Sequence, residues 1–216
     1  MKRNYLLAAI CLCGKLYAQT TDSISNRLEQ VEIKAYFNKH PLLRLTSSAA
    51  VLSKQRIQSQ QSPALVAVMN TVPGLRMEER SPGSYRLALR GSMLRSPFGV
   101  RNVKIYLDDF PLTDAGGNTY LNLIDPYTID QINILKGPDG SIYGANSGGV
   151  ISLYSKGFNT LTKPEVNLQL TGGSYGLFQQ QLNAVLPINQ TQQLAINQSW
   201  TRSDGYRQHS SLNKKT

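Results

Sequence analysis

The stretch INILKGPDGSIYGANSGGVISLYS, residues Ile132–Ser155, decides the fold of this chain. It begins with a short apolar run, passes through a Gly-Pro-Asp turn and a second glycine cluster at 144–149, and ends in the apolar run Val150–Tyr154. Because glycine adopts positive φ without a steric penalty, this arrangement predicts two strands joined by a tight corner. The corner leads into a strand rather than a long helix, so we do not expect it to bind phosphate.

The first 18 residues have the composition of a secretory signal peptide. Lys2 and Arg3 precede the apolar run Tyr5–Cys13, and Ala18 supplies a small residue at the cleavage position. An apolar run of this length is too short to cross about 30 Å of hydrocarbon, so we do not expect a membrane anchor. We therefore predict export, with cleavage after residue 18.

Residues 19–216 offer few groups for catalysis or metal binding. Both cysteines, Cys11 and Cys13, lie in the predicted signal, and the histidines His40 and His209 are far apart. Signatures of nucleophile elbows, Walker A loops and zinc proteases are absent from the sequence. We expect no enzymatic activity, no cofactor and no metal site.

The chain is basic, with a formal net charge of +10 that falls to +7 when Lys2, Arg3 and Lys15 leave with the signal. The remaining basic residues are scattered rather than clustered on one segment. Nucleic acid is therefore not an expected partner.

Leu28–Tyr36 lies in a polar N-terminal extension, residues 19–44, and alternates between apolar and charged side chains. Val31, Ile33 and Ala35 fall on one face, with charged side chains on the other. The pattern predicts a strand without an evident local partner. Taken alone, the pattern favours an ordinary edge strand over a strand that pairs with another protein.

Residues 45–156 mix short helices and strands, which predicts a small α+β domain with a mixed sheet. The Asp108-Asp109 pair follows a strand pattern. We interpret it as a hairpin turn rather than as an acid–base pair, because neighbours on a strand point to opposite faces. The predicted helices are Lys54–Ser59 and Ala64–Asn70, and the predicted strands include Tyr85–Arg90, Val100–Leu107 and Gln131–Leu135.

Residues 157–216 change character, because charged residues become rarer and three alternating runs appear. Each run has the length of a membrane-spanning β-strand, with apolar side chains outward and polar side chains inward. Gln180 interrupts the apolar face of the second run. The same alternation also fits a soluble sandwich with one solvated face. The apolar sets are Val166, Leu168 and Leu170, then Phe178, Leu182, Ala184 and Leu186, then Leu194, Ile196 and Trp200.

Two motifs together resemble the plug domain of TonB-dependent outer-membrane receptors. One is Leu89-Arg90-Gly91, and the other comprises Ile129, Ile132, Gly137-Pro138, Ser141, Tyr143-Gly144 and Gly148-Gly149-Val150-Ile151. The resemblance implies an α+β plug followed by the first strands of a transmembrane β-barrel, which closes with 22 strands in this family. It places the protein in the outer membrane of a Gram-negative bacterium, in contact with lipid, with TonB and its inner-membrane energising complex as partners.

The resemblance also implies roles for individual residues. The segment from Glu29 to Ala35 is similar to the coupling box, which adds as a strand to TonB. Arg90 and Lys136 take the positions of cations that hold the plug in the barrel, and loops at the outer end of the plug contact substrate. The TonB-binding residues are Glu29, Val31, Glu32, Ile33, Lys34 and Ala35; the plug–barrel lock is Arg90, Gly91, Lys136 and Gly137; the substrate-binding residues are Tyr85, Arg95, Arg101, Asn118 and Tyr120.

The expected function is energised uptake of a scarce nutrient, with a ferric siderophore or iron chelate as the leading substrate and cobalamin as the second. Only about ten residues separate Gln19 from the coupling box, too few for a signalling domain. Because three strands cannot close a barrel, we expect the chain to be a fragment. The alternative is a complete secreted or periplasmic plug-like binding module without transport activity.

Overall fold

The computed structural model describes residues 31–36, 38–60, 64–91, 100–144, 148–155, 163–189 and 191–216. The predicted signal peptide, the predicted helix cap Ser62-Pro63, Glu29 and Arg95 lie outside these ranges. No helix in the described ranges is both long enough and apolar enough to cross a membrane.

A five-stranded mixed sheet forms the centre of residues 49–155. Its strands, in their order across the sheet, are β3 Ala49–Ser53, β8 Ile129–Lys136, β9 Gly149–Ser155, β6 Lys104–Leu107 and β7 Phe110–Pro111. The β6–β9 pair is parallel and the other pairs are antiparallel, which confirms the predicted mixed sheet. The predicted strand Val100–Leu107 is shorter in the structure, because Val100 exchanges backbone hydrogen bonds with Thr119 instead. Two further strands, β1 Glu32–Ala35 and β2 Asn38–Pro41, precede this sheet in the chain and pair with each other.

One face of this sheet carries the hydrophobic core. Two short helices, α1 Lys54–Ser59 and α2 Val66–Met69, pack there with the hairpin of β4 Leu75–Ser81 and β5 Ser84–Leu89. Burial of their apolar side chains supplies the main stabilisation of the domain. The most deeply buried side chains include Leu52, Met69, Met77, Leu89, Ile105, Ile132, Ile134, Ile151 and Leu153.

The helix predicted over Ala64–Asn70 is shorter in the structure: α2 spans Val66–Met69, and the residue that follows it is the C-cap Asn70. Its side-chain amide donates to the Met77 carbonyl at 2.9 Å, and its Oδ1 accepts from the Met77 N–H at 2.7 Å. These two bonds tie the end of α2 to β4. Ser53 precedes α1 as expected, although its side chain makes no capping hydrogen bond.

The Asp108-Asp109 pair forms the β6–β7 turn, as predicted. Both residues have positive φ, 48° and 71°, which is the conformation that the central residues of a type I′ turn adopt. The Asp108 Oδ1 atom also accepts from the Ser155 N–H at 2.7 Å, which fixes the turn to the end of β9.

A second sheet contains four antiparallel strands in sequence order, β10 Glu165–Gly173, β11 Leu177–Pro187, β12 Gln193–Ser203 and β13 Leu212–Lys215. Three of these strands, β10 to β12, correspond to the three predicted runs, and β13 is an additional strand. The sequence predicted a loop at residues 213–216. In the structure, β13 pairs along β12, with Trp200 opposite Lys215, so backbone pairing rather than side-chain pattern defines this strand.

The two faces of this sheet differ in polarity, as the alternating runs predicted. Gln179 and Asn183 are buried on the face toward the plug, and the Tyr127 hydroxyl donates to Gln179 Oε1 at 3.4 Å. Gln180 lies on the opposite face, where it interrupts the apolar surface as expected. The exposed apolar side chains of that face include Val166, Leu168, Leu170, Phe178, Leu186, Leu194 and Ile196.

Candidate functional site

The glycine corner brings the two plug motifs into contact. Gly137 has φ 89°, and a Cβ there would lie 2.7 Å from Nη1 of Arg90, so the guanidinium passes directly over this glycine. Gly149, at φ 130°, is enclosed by the Leu135 carbonyl and the Leu89 side chain. The absence of a side chain at both positions therefore allows two segments distant in sequence to pack together.

Arg90 and Lys136 form a cationic cluster beside this corner. Lys136 is 8% exposed, and its Nζ donates to the Pro73 carbonyl at 2.8 Å. Burial and, next, the charge of Arg90 lower the pKa of Lys136 below its ordinary value. Within the described ranges, neither cation forms an ion pair with a carboxylate. The cluster therefore carries two neighbouring positive charges without a neutralising carboxylate among the described residues.

The predicted coupling strand pairs with its own chain. Strand β1, Glu32–Ala35, forms an antiparallel hairpin with β2, Asn38–Pro41, and the Leu42 N–H extends the ladder to the Val31 carbonyl. Ile33 and Ala35 are only 1% and 2% exposed, whereas Val31 is 53% exposed. The sequence predicted a strand without a local partner, and the structure supplies one in β2, which begins three residues after Ala35.

Asp109 is a functional candidate that sequence analysis treated only as a turn residue. Its carboxylate forms an ion pair with Nζ of Lys34, in the middle of β1. The plug domains that the sequence resembles commonly have glycine at this position of the turn. The aspartate in its place was the signal in the sequence. The sequence could not identify Lys34 as its partner, because 75 positions separate the two residues.

The loops at the other end of the β6–β7 hairpin bring together several predicted substrate residues. Arg101 Nε donates to Asn118 Oδ1 at 2.6 Å, and the neighbouring Val100–Thr119 bridge holds the two loops side by side. Tyr120 follows with 40% of its surface exposed. Arg101, Asn118 and Tyr120 thus form one surface that presents a guanidinium, an amide and a phenol.

Tyr85 has a different environment from the other predicted substrate residues. Its ring packs against the hydrophobic core, and Glu79 lies directly opposite on β4. Burial, followed by the charge of Glu79 and a hydrogen bond to it, raises the pKa of Tyr85 above its ordinary value. A role for Tyr85 in substrate binding remains a prediction, and its contacts also serve the packing of the β4–β5 hairpin.

Comparison with protein families identifies this arrangement. The family model described as the TonB-dependent Receptor Plug Domain matches residues 41–151. The chain therefore belongs to the TonB-dependent receptor plug family, and its expected fold class, an α+β plug followed by antiparallel strands, is confirmed. Membership also supports the expectation that the protein is not an enzyme.

Curated relatives include transporters and receptors of known substrates. The vitamin B12 transporter of Vibrio vulnificus strain YJ016 is 26% identical over 210 residues, covering 94% of this chain and 31% of the transporter. The ferrioxamine receptor of Yersinia enterocolitica is 29% identical over 120 residues, 54% of this chain and 16% of that receptor. The chain thus spans less than a third of the length of these relatives.

Solved structures share the fold. The pyoverdine outer membrane receptor FpvA from Pseudomonas aeruginosa PAO1 has a TM-score of 0.65 at 18% identity, covering 81% of this chain and 25% of that chain. The ferric-catecholate import receptor Fiu from Escherichia coli K12 has a TM-score of 0.63 at 21% identity, covering 82% of this chain and 24% of that chain. These two structures show the shared fold. Membership of the TonB-dependent receptor plug family agrees with a location in the outer membrane of a Gram-negative bacterium, and the comparisons give no support to a plug-like binding module without transport activity.

Proposed function

We propose that this chain serves TonB-driven uptake of a small nutrient across the outer membrane. The observation that carries the proposal is that the predicted substrate surface and the predicted coupling strand meet opposite ends of one hairpin, β6–β7. The Arg101–Asn118 surface lies at one end of β6–β7, and Lys34 of the predicted coupling strand contacts Asp109 at the other. A plug with substrate contacts at one end and a coupling strand at the other can transmit a pull from the periplasm to the bound substrate.

We further propose that the substrate is a ferric siderophore or another iron chelate. Arg101 is exposed, and Asn118 holds its guanidinium in place, which suits an anionic chelate. The ferrioxamine receptor among the relatives supports this class. Cobalamin is the second candidate, because two of the relatives are vitamin B12 transporters.

Radiolabelled substrates distinguish these two candidates. In cells that produce the receptor containing this chain, we expect uptake of an anionic ⁵⁵Fe chelate from a siderophore panel. Arg101→Gln should weaken binding of that chelate about tenfold, the effect of losing one hydrogen bond to a charged group. Arg44→Gln, in an exposed 3₁₀ turn near the N-terminal hairpin, is the matched control and should bind normally. Uptake of labelled cobalamin without uptake of any ferric chelate would contradict the iron proposal.

We also propose that Arg90 and Lys136, with Gly91 and Gly137, lock the plug inside the barrel. Support comes from the two cations that share one corner, neither of which forms an ion pair with a carboxylate in the described ranges, and from the pKa of Lys136, which burial and the charge of Arg90 lower. A carboxylate on the barrel wall would relieve this repulsion. The lysine provides charge but not the two-pronged geometry of an arginine, so Arg90 supplies the directional contact.

Loss of Arg90 is therefore expected to loosen the plug. For Arg90→Gln in the purified receptor, we expect larger and more frequent channel openings in planar bilayers at a given urea concentration. A contact between charged groups is worth about 1.5–3 kcal/mol, enough to change the open fraction tenfold or more. Arg76→Gln is the matched control, because Arg76 is largely exposed and pairs only with Glu78 among the described residues. Equal conductance in both variants would argue against the lock.

A further inference from the structure

The hairpin pairing of β1 has a direct consequence for strand addition. A strand has two hydrogen-bonding edges, and one edge of β1 is occupied by β2 in the register Glu32–Pro41 to Ala35–Asn38. The buried side chains Ile33 and Ala35 face the domain. A partner that pairs along β1 and uses these side chains for register must first lift the strand away.

Lys34 fastens β1 at its centre. Its ammonium forms the ion pair with Asp109 and also lies 5.8 Å from the centre of the Tyr154 ring. The Lys34 and Asp109 side chains are 30% and 46% exposed, so water can replace the contact once the strand moves. The ion pair therefore stabilises the docked position of β1 by only a small free energy, so β1 can still detach.

The surface beneath β1 is polar, which limits the stability of the docked hairpin. The Gln131 amide donates to the Glu32 carbonyl at 3.3 Å and to Asn133 Oδ1 at 2.7 Å. Asn133 is 3% exposed, and its Nδ2 has no hydrogen-bond partner within the described ranges. A buried donor without a partner disfavours the docked state. The Lys34–Asp109 ion pair therefore contributes a larger part of the free energy that keeps the hairpin docked.

Asp109 also connects β1 to the predicted substrate surface. It lies in the β6–β7 turn, and the Leu112 N–H returns a hydrogen bond to the Ile105 carbonyl at 2.9 Å. In the loop that follows β7, Thr113 bridges to Thr119, next to Asn118, whose Oδ1 accepts from Arg101. A shift of the loops at one end can therefore alter the position of the carboxylate at the other.

We propose that Asp109 is an autoinhibitory latch: its ion pair with Lys34 keeps β1 docked, and its release exposes β1 to a partner strand. The proposal rests on the proposed function, in which β1 is the segment that TonB engages. Asp109 acts through Lys34 and is a positioning residue rather than a TonB contact.

A cysteine reporter at Ala35 measures release without TonB. Ala35→Cys is introduced into the detergent-purified receptor with any other accessible cysteine replaced, and its labelling rate with a maleimide is followed. Asp109→Asn removes the charge while asparagine tolerates the positive φ of this position. We expect labelling to accelerate about two- to fivefold, the range for a partly exposed ion pair. Asp139→Asn changes an exposed aspartate that forms no ion pair in the described ranges, so it is the matched control and should label like the parent.

Binding of the purified TonB C-terminal domain is measured in parallel, without the reporter. Since apparent affinity scales with the fraction of exposed β1, the dissociation constant should fall in Asp109→Asn by the same factor as labelling rises. Unchanged labelling in Asp109→Asn, or an equal rise in Asp139→Asn, would overturn the latch. Faster labelling with no TonB binding to any variant would support the latch and refute the role of β1 as the TonB segment.

Discussion

Replacing Gly149 with alanine is expected to eliminate folded receptor from the outer membrane. The added Cβ would overlap the Leu135 carbonyl and lie 2.7 Å from Leu89 Cδ2, and φ 130° is a conformation that L-residues rarely adopt. Strain and overpacking together should lower the free energy of unfolding by about 3 kcal/mol or more, a large part of the stability of a typical domain. The Leu135 carbonyl belongs to the backbone of a central strand, so it cannot move aside.

The measurement is the amount of folded receptor in outer-membrane fractions, followed by urea unfolding of the protein that is recovered. Gly172→Ala is the matched control, because a Cβ at Gly172 meets no atom within 4 Å and its φ lies outside the left-handed region. It should fold at the level of the parent. Normal folding of Gly149→Ala would show that the β8–β9 corner can rearrange, contrary to the packing seen here.

Replacing Ile33 with proline should abolish energised uptake while leaving substrate binding intact. Proline removes the backbone N–H from the centre of β1 and fixes φ near −65°. A partner strand that pairs with β1 therefore loses one backbone hydrogen bond, and one of its carbonyl groups is left without a donor. We expect binding of the TonB C-terminal domain to fall about tenfold or more. The substrate surface lies at the far end of the β6–β7 hairpin and should retain its affinity.

His40→Pro is the matched control for this variant. His40 lies opposite Ile33 in the hairpin, so both substitutions disturb the same pair, but only one alters the predicted coupling strand. His40→Pro should therefore keep uptake, with β1 more readily exposed. Equal loss of uptake in both variants would indicate that the intact hairpin, rather than β1 alone, is required.

The most accurate predictions concerned features encoded within a few residues. Asp108-Asp109 was predicted as a turn, and its two positive φ values follow from the tolerance of aspartate for that region. The glycine pattern from Gly137 to Gly149 predicted a tight corner, because a missing side chain is a local property. Alternation along β11 predicted which face carries Gln179, since side-chain direction in a strand depends only on parity.

Pairing partners were less predictable. Strand β13 carries no apolar pattern and forms because β12 offers an unpaired edge, which a single sequence does not reveal. Tyr85 was predicted to bind substrate, and the structure adds that its ring lies against the core beside Glu79, a neighbour fixed by the register of β4 and β5. In both cases the deciding contact comes from a segment whose position depends on the folded chain.

The sequence by itself determined the family, the glycine corner and the polarity of each strand face, since these follow from short-range sterics and side-chain alternation. Only the tertiary structure decided that β1 pairs with β2, that Arg90 passes over Gly137 and that Lys34 reaches Asp109. Contacts of this second kind require the chain to close loops of up to 75 residues, and no local pattern encodes which ends will meet. The proposed latch depends on such a contact.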